Sequence, residues 1–240
     1  MIDIHSHIIF NIDDGVQSIE ESVELCRQAA DNGYKAIVAT PHFTDYRNIE
    51  EFIWARDSKL DLIREELSEE QIDITLYSGA ELYLSRGIFT AGDLDELTVN
   101  KSRYMLCEFP LGPFNVRNGL EMLSELALRG YTPIVAHPER YYEFRRNYEI
   151  TEQLADQGIL FQVNADSLAG NIDSDAQEIA TDLVKNGSAK FIASDAHDIY
   201  RRNMNMQKKI ASFPPELNQE DIYNCIKKYP NAVINNEDIF

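Results

Sequence analysis

The chain opens Met1-Ile-Asp-Ile-His-Ser-His7. This short apolar run ends in two histidines, not in the glycine-rich turn that follows the first strand of a doubly wound nucleotide-binding sheet. Further runs of the same kind follow: Ala36-Ile-Val-Ala-Thr40, Asp73-Ile-Thr-Leu-Tyr77, Tyr104-Met-Leu-Cys-Glu108, Thr132-Pro-Ile-Val-Ala136, Ile159-Leu-Phe-Gln-Val163 and Lys190-Phe-Ile-Ala-Ser194. Helical patterns separate them. Ser18 with Glu21 forms a capping box, and Ile19, Val23, Cys26 and Ala30 share one helical face. Helices are also expected over 49–67, 117–129, 150–157, 175–186, 203–212 and 219–228, and Gly33, Gly130, Gly158 and Gly187 sit where helices end. Seven strands alternating with helices imply parallel βαβ units. Without a glycine fingerprint, a closed or nearly closed α/β barrel fits better than an open sheet. No repeat or linker divides residues 1–240, so one domain is expected.

The composition narrows the function. The 240 residues carry 22 basic and 41 acidic side chains, a net charge of −19. That opposes broad binding to nucleic acid or anionic lipid, and it allows a carboxylate-rich pocket for cations. No apolar run approaches a membrane span, and the N-terminus lacks the basic-then-apolar pattern of a secretory leader. Cys26, Cys107 and Cys225 are widely spaced and odd in number, which reads as reduced thiols in a cytoplasmic protein. The positions six after them are Asn32, Pro113 and Asn231, so no cysteine begins a Cys-x5-Arg phosphate loop. Asp93-Leu-Asp95 follows no apolar strand, which disfavours an aspartate nucleophile.

The five histidines, His5, His7, His42, His137 and His197, all fall at or just past the C-terminal end of an expected strand. Active sites of α/β barrels are built on that rim. His5 and His7 are two apart in an extended segment, so both rings can face one ion. Asp195-Ala-His197 repeats the spacing after the last strand, and barrel closure would bring the two pairs together. Glu81 and Glu108 end two more strands. Alone, Glu108 reads equally as a rim carboxylate, and Asp14 as a turn residue of Asn11-Ile-Asp-Asp-Gly15. A thiolate-free His/Asp/Glu set suits two or three ions of Mn²⁺, Fe²⁺ or Zn²⁺. Such a cluster lowers the pKa of a bound water or bridging hydroxide and clamps anionic oxygens, which is hydrolytic chemistry. Arg140, three residues past His137, offers a fork for a phosphate dianion or a salt bridge to an acidic neighbour.

These motifs resemble a known family. His5-Ser-His7, Thr-Pro-His42, Gly-Ala-Glu81, Ala-His137-Pro and Ser-Asp195-Ala-His197 look like the metal motifs of the PHP (polymerase and histidinol phosphatase) superfamily. The opening seven residues, with Asp13-Asp14-Gly15 and Ser18-Ile-Glu-Glu-Ser22, are similar to its CpsB-like branch of manganese-dependent bacterial protein-tyrosine phosphatases of capsule and exopolysaccharide synthesis. The match runs to about residue 203. The resemblance implies a distorted seven-stranded (β/α) barrel with a trinuclear site at the C-terminal rim. It implies the ligands His5, His7, Asp14, His42, Glu81, Glu108, His137, Asp195 and His197, most plainly for Mn²⁺. It implies phosphate-facing arginines at Arg140 and at Arg202, with Arg201 the alternative by a slip of one. The implied substrate is a phosphotyrosine protein, the tail of a tyrosine kinase that regulates polysaccharide synthesis. The competing readings are a small-molecule phosphatase, such as histidinol phosphatase, and a non-catalytic regulatory protein. Self-association is left open.

Overall fold

The computed structural model describes residues 1–147 and 149–239. Its strands are β1 (Ile2–Asp3), β2 (Ala36–Ala39), β3 (His42–Phe43), β4 (Thr75–Ser78), β5 (Glu81–Tyr83), β6 (Tyr104–Glu108), β7 (Thr132–Ala136), β8 (Leu160–Asn164) and β9 (Ala189–Ala193). Every strand pairing is parallel. The order is β1-β2-β4 in one sheet and β3-β5-β6-β7-β8-β9 in the other. Each of the seven expected runs contains a strand, but the described strands number nine in two sheets, not seven in one. The extra two, β3 and β5, resume β2 and β4 after a break. Pro41 has no N–H for the ladder. Opposite it, a Cβ on Gly79 would stand 3.0 Å from Val38 Cγ1, so the chains approach too closely there for a side chain.

The edges β1 and β9 meet beyond their C-terminal ends. The Asp195 N–H donates to the His5 carbonyl at 2.9 Å, and the His7 N–H to the Ala196 carbonyl at 2.8 Å. The buried Asp3 carboxylate reinforces this seam by accepting from the backbone N–H groups of His5 and Ser194, both at 3.2 Å.

The period of two along each strand divides the core. Ile37, Ala39, Met105, Cys107, Val135, Phe161, Val163 and Ile192 point outward into the larger cluster, against the helices. Ala36, Val38, Tyr104, Leu106, Ile134, Ala136, Leu160, Phe191 and Ala193 point inward into a smaller one. The helices are α1 (Ile19–Asp31), α2 (Ile49–Glu69), α3 (Val116–Leu128), α4 (Tyr142–Arg146), α5 (Glu149–Asp156), α6 (Ala165–Leu168), α7 (Ser174–Lys185), α8 (Met206–Ile210), α9 (Gln219–Tyr223) and α10 (Tyr229–Ile234). Val233 and Ile234 of α10 join the inner cluster. Ser18 caps α1 through its oxygen. Glu21, however, accepts from Gln17 rather than Ser18, so the box closes one residue further out. The two C-terminal helices expected over 203–212 and 219–228 are three. α9 runs through a wide π turn at 224–228 into α10, just before Pro230, whose ring clashes with the carbonyl four residues back in a regular α turn.

Candidate metal centre

The same alternation that builds the inner core builds the centre above it. Glu108 stands on the inward face over Leu106, and Gln162 and Asn164 stand over Leu160. His42 of β3 is in register with Glu81 of β5. His137 follows β7, and Asp195 and His197 follow β9. All five imidazoles cluster: ring centroids are 3.9 Å apart for His7 and His197, 4.5 Å for His7 and His42, 5.3 Å for His5 and His7, and 5.6 Å for His5 and His137. Asp14 is the outermost of the nine, with its side chain 69% exposed. It lies in its turn 3.3 Å from His42 Nε2 and 3.5 Å from His197 Nε2.

Neighbouring groups fix which ring nitrogen faces inward. His5 Nδ1 lies 2.7 Å from Gln162 Oε1, His7 Nδ1 2.8 Å from Asp13 Oδ2, and His197 Nδ1 3.0 Å from the Asp195 carbonyl. These oxygens accept, so each Nδ1 donates its proton and each Nε2 turns a lone pair inward. The Nε2 atoms of His5 and His7 face each other at 3.2 Å, and both lie 3.2 Å from Glu81 Oε2. His42 Nδ1 lies 3.0 Å from the same oxygen. Glu81 Oε2 is buried and has no hydrogen-bond partner. Lone pairs and a carboxylate oxygen converging in a buried space repel unless positive charge sits among them. The residues therefore fit divalent ions. Ligand atoms within 4.8 Å of one another form four groups: His7, Asp14, His42 and His197; His5, His7 and Glu81; His5, His137 and Asp195; His42, Glu81 and Glu108. Shared members tie these groups into one contiguous cluster of candidate ligands.

The electrostatics agree. Burial opposes charge on His7, but the Asp13 and Glu81 carboxylates beside it outweigh that and raise its pKa to about 10. The surroundings thus favour a cation at this point. Burial likewise opposes charge on Glu81, yet the imidazoles hold it well below the ordinary carboxylate value. Burial and the Glu81 charge push Glu108 up to about 7. His137 and Asp195 have φ of 34° and 50°, a left-handed backbone that costs a non-glycine residue energy and gathers at functional sites.

Arg140 and Arg202 both reach Asp195 Oδ2, at 3.3 and 2.6 Å, with side chains 27% and 34% exposed. Of the two readings of Arg140, a phosphate fork or a salt bridge, the salt bridge is present, and its acidic partner is itself a candidate ligand. Arg201 points elsewhere, into a separate cleft.

Several contributors are not among the expected ligands. Asp13 holds His7 and accepts the His42 N–H at 2.9 Å. Gln162 and Asn164 form an amide chain: Gln162 Nε2 donates to Asn164 Oδ1, and Asn164 Nδ2 to Asp195 Oδ2, at 2.8 and 2.7 Å. It therefore connects His5 to Asp195. The signal available was two polar residues at i, i+2 on one buried strand, where polar groups need partners.

Fold and site define a class: a parallel α/β protein with an imidazole–carboxylate cluster, suited to divalent ions, at the C-terminal ends of its strands. The chain belongs to the CpsB/CapC family of capsular polysaccharide synthesis, whose family model matches residues 1–235. It is 34% identical to the putative tyrosine-protein phosphatase CapC of Staphylococcus aureus, over 84% of this chain and 79% of that one. It is 31% identical to the tyrosine-protein phosphatase YwqE of Bacillus subtilis, over 100% and 94%. A solved structure from work on YwqE and on CpsB of Streptococcus pneumoniae, described as unique metal-dependent tyrosine phosphatases, superposes with a TM-score of 0.89 at 30% identity, covering 100% of this chain and 96% of that one. A phosphotriesterase homology protein of Escherichia coli shares the fold alone, with a TM-score of 0.58 at 10% identity.

Proposed function

We propose that this protein is a metal-dependent protein-tyrosine phosphatase, acting on a phosphotyrosine protein of polysaccharide synthesis, the tail of a tyrosine kinase. The observation that carries the reading is the convergence of three imidazoles on the unpartnered Glu81 Oε2, within a chain whose relatives carry tyrosine-phosphatase names. His5, His7, Asp14, His42, Glu81, Glu108, His137, Asp195 and His197 would hold two or three divalent ions, Mn²⁺ by preference. Such ions supply Lewis-acid polarisation of a phosphoryl oxygen and a water made nucleophilic near neutral pH. Arg140 and Arg202 spend one guanidinium N–H each on Asp195, which leaves further donors in a fixed fork for phosphate oxygens. They would bind the dianion and offset the charge that spreads over the transferring group. The three thiols are buried, and burial pushes Cys26 and Cys225 up to about 12, which does not suit a thiolate nucleophile.

The two sheets, joined at His5–His7 and Asp195–Ala196, are read as one distorted barrel of seven strand positions and one domain over 1–240. No described helix is long and apolar enough to cross a membrane; a cytoplasmic setting is part of the proposal. Metal analysis of protein purified without chelator, with turnover of phosphotyrosine peptides and histidinol phosphate, tests the reading. Stoichiometric metal, best reactivation by Mn²⁺ and preference for the peptides are expected. Full activity at sub-stoichiometric metal, or preference for histidinol phosphate, would overturn it.

A further inference from the structure

Beside the metal centre lies a second cleft, of about 220 Å³, lined among others by Asp166, Tyr200, Arg201, Asn205, Lys208 and Lys209. It occupies the same rim. Asp166 opens α6 directly after β8, whose Asn164 donates to Asp195. Arg201 is the chain neighbour of Arg202, whose Nη2 is 2.6 Å from Asp195. The floor is built: Lys209 Nζ, buried, donates to Asp166 Oδ2 at 2.9 Å and to the Asn203 carbonyl at 2.8 Å. That pair is neutral in sum. The walls differ. Arg201 and Lys208 are exposed, and among the described residues neither side chain has an acidic partner. In a chain of net charge −19, nearly every other arginine and lysine finds a carboxylate, a carbonyl or an aromatic ring. The charged side chains that line the cleft, Asp166, Arg201, Lys208 and Lys209, therefore carry an excess of positive charge in a chain of the opposite sign. Tyr200, 79% exposed, stands at the mouth.

A peptide whose phosphotyrosine enters the centre and whose chain runs out on this side would meet Arg201 and Lys208. We propose that the cleft is a subsite for an anionic side chain of the substrate peptide, a carboxylate or a second phosphoryl group, close in sequence to the phosphotyrosine. The inference rests on the phosphotyrosine reading above.

The test is steady-state kinetics of the metal-loaded full chain on three probes. These are free phosphotyrosine, phosphotyrosine peptides with Glu or Gln at each position within four residues, and a doubly phosphorylated peptide. Arg201→Gln, Lys208→Gln and the double variant are compared with the parent; both side chains are exposed, so the fold should persist. At one or more positions, Glu should give a kcat/KM roughly 3–30-fold above Gln, the scale of two exposed charge pairs, through KM and falling with added salt. The double variant should abolish that ratio and leave free phosphotyrosine unchanged. If only the doubly phosphorylated peptide gains, the anion is a phosphoryl group; if the Glu peptides gain as well, a carboxylate suffices. Equal turnover of all peptides by the parent, or a preference that survives the double variant, overturns the subsite alone. No turnover of free phosphotyrosine or of any peptide overturns the functional reading, and the subsite with it.

Discussion

The chemistry at the centre depends on single atoms kept in one protonation pattern. Gln162 accepts from His5 Nδ1 in a fully buried setting, which commits His5 Nε2 to the lone-pair role. Gln162→Leu keeps the volume but removes the acceptor, so the His5 ring loses its tautomer lock and Asn164 loses a donor. Metal affinity should fall roughly 10–100-fold, the usual cost of losing a partner behind a ligand, as read by calorimetric titration; an unchanged affinity would make the amide chain purely structural. Arg140 tests the opposite side of the division of labour. It touches a candidate ligand but belongs to no ligand group, so Arg140→Ala should retain metal while kcat/KM falls roughly 10²–10³-fold. Arg140→Lys should recover little, because an ammonium has no planar fork. Normal kinetics in Arg140→Ala would assign the arginine to the Asp195 salt bridge alone.

Elements and loops position these atoms through backbone contact as well as side chains. A Cβ on Gly15 would stand 2.3 Å from the His7 carbonyl oxygen and 2.7 Å from His7 Cβ. Gly15→Ala must therefore push the loop off the segment that carries His7, and both melting temperature and metal affinity should drop. Gly33→Ala is the control. A Cβ there meets nothing within 4 Å, but its φ is +81°, so it should cost about 1–2 kcal/mol of stability and leave metal affinity alone. If the two variants behave alike, the Gly15 contact does not act on the centre. The same scale shows what the sequence made legible. Histidines and carboxylates placed at the ends of apolar runs stand out, because a buried strand has little other use for them. β3 and β5, of two and three residues, are too short for a period of two to register. Gln162 hides within Ile159-Leu-Phe-Gln-Val163, where one polar residue does not interrupt a strand pattern. Asp13 reaches His7 only through the turn before Gly15, and turn geometry of that kind leaves no periodic trace.

Across the whole molecule, the centre is a buried store of charge whose balance changes with pH. The ordinary histidine value is 6.5, and His7 is raised to about 10. A raised cation contributes stability that is complete below about 6.5 and lost as pH climbs through 10. Glu108 and Glu139, each raised by burial from 4.5 to about 7, act in the same direction. The fold keeps them protonated when the unfolded chain has ionised, so stability falls as pH rises from about 4.5 to 7. Other groups act in the opposite sense, His137, Glu81 and Asp195 among them, all with lowered values. Burial holds His197 down at about 3, which costs stability as pH falls from 6.5 through 3. Asp13, whose burial is outweighed by its bonds to His7, sits at about 2, and its contribution is lost below 3.8. Chelator-treated protein should therefore melt highest in mildly acidic solution and progressively lower towards pH 9. Divalent ions compete with protons for the same nitrogens, so their hold tightens as the His7 proton becomes easier to remove. The rise in melting temperature given by saturating Mn²⁺ should then be small at pH 5.5 and grow steadily to pH 9. Thermal melts at fixed ionic strength, with chelator and with Mn²⁺, read both curves. A metal-induced shift that stays flat or shrinks over that range would mean that the ions do not displace the proton on His7, and that the positive charge the surroundings favour there is not the metal's.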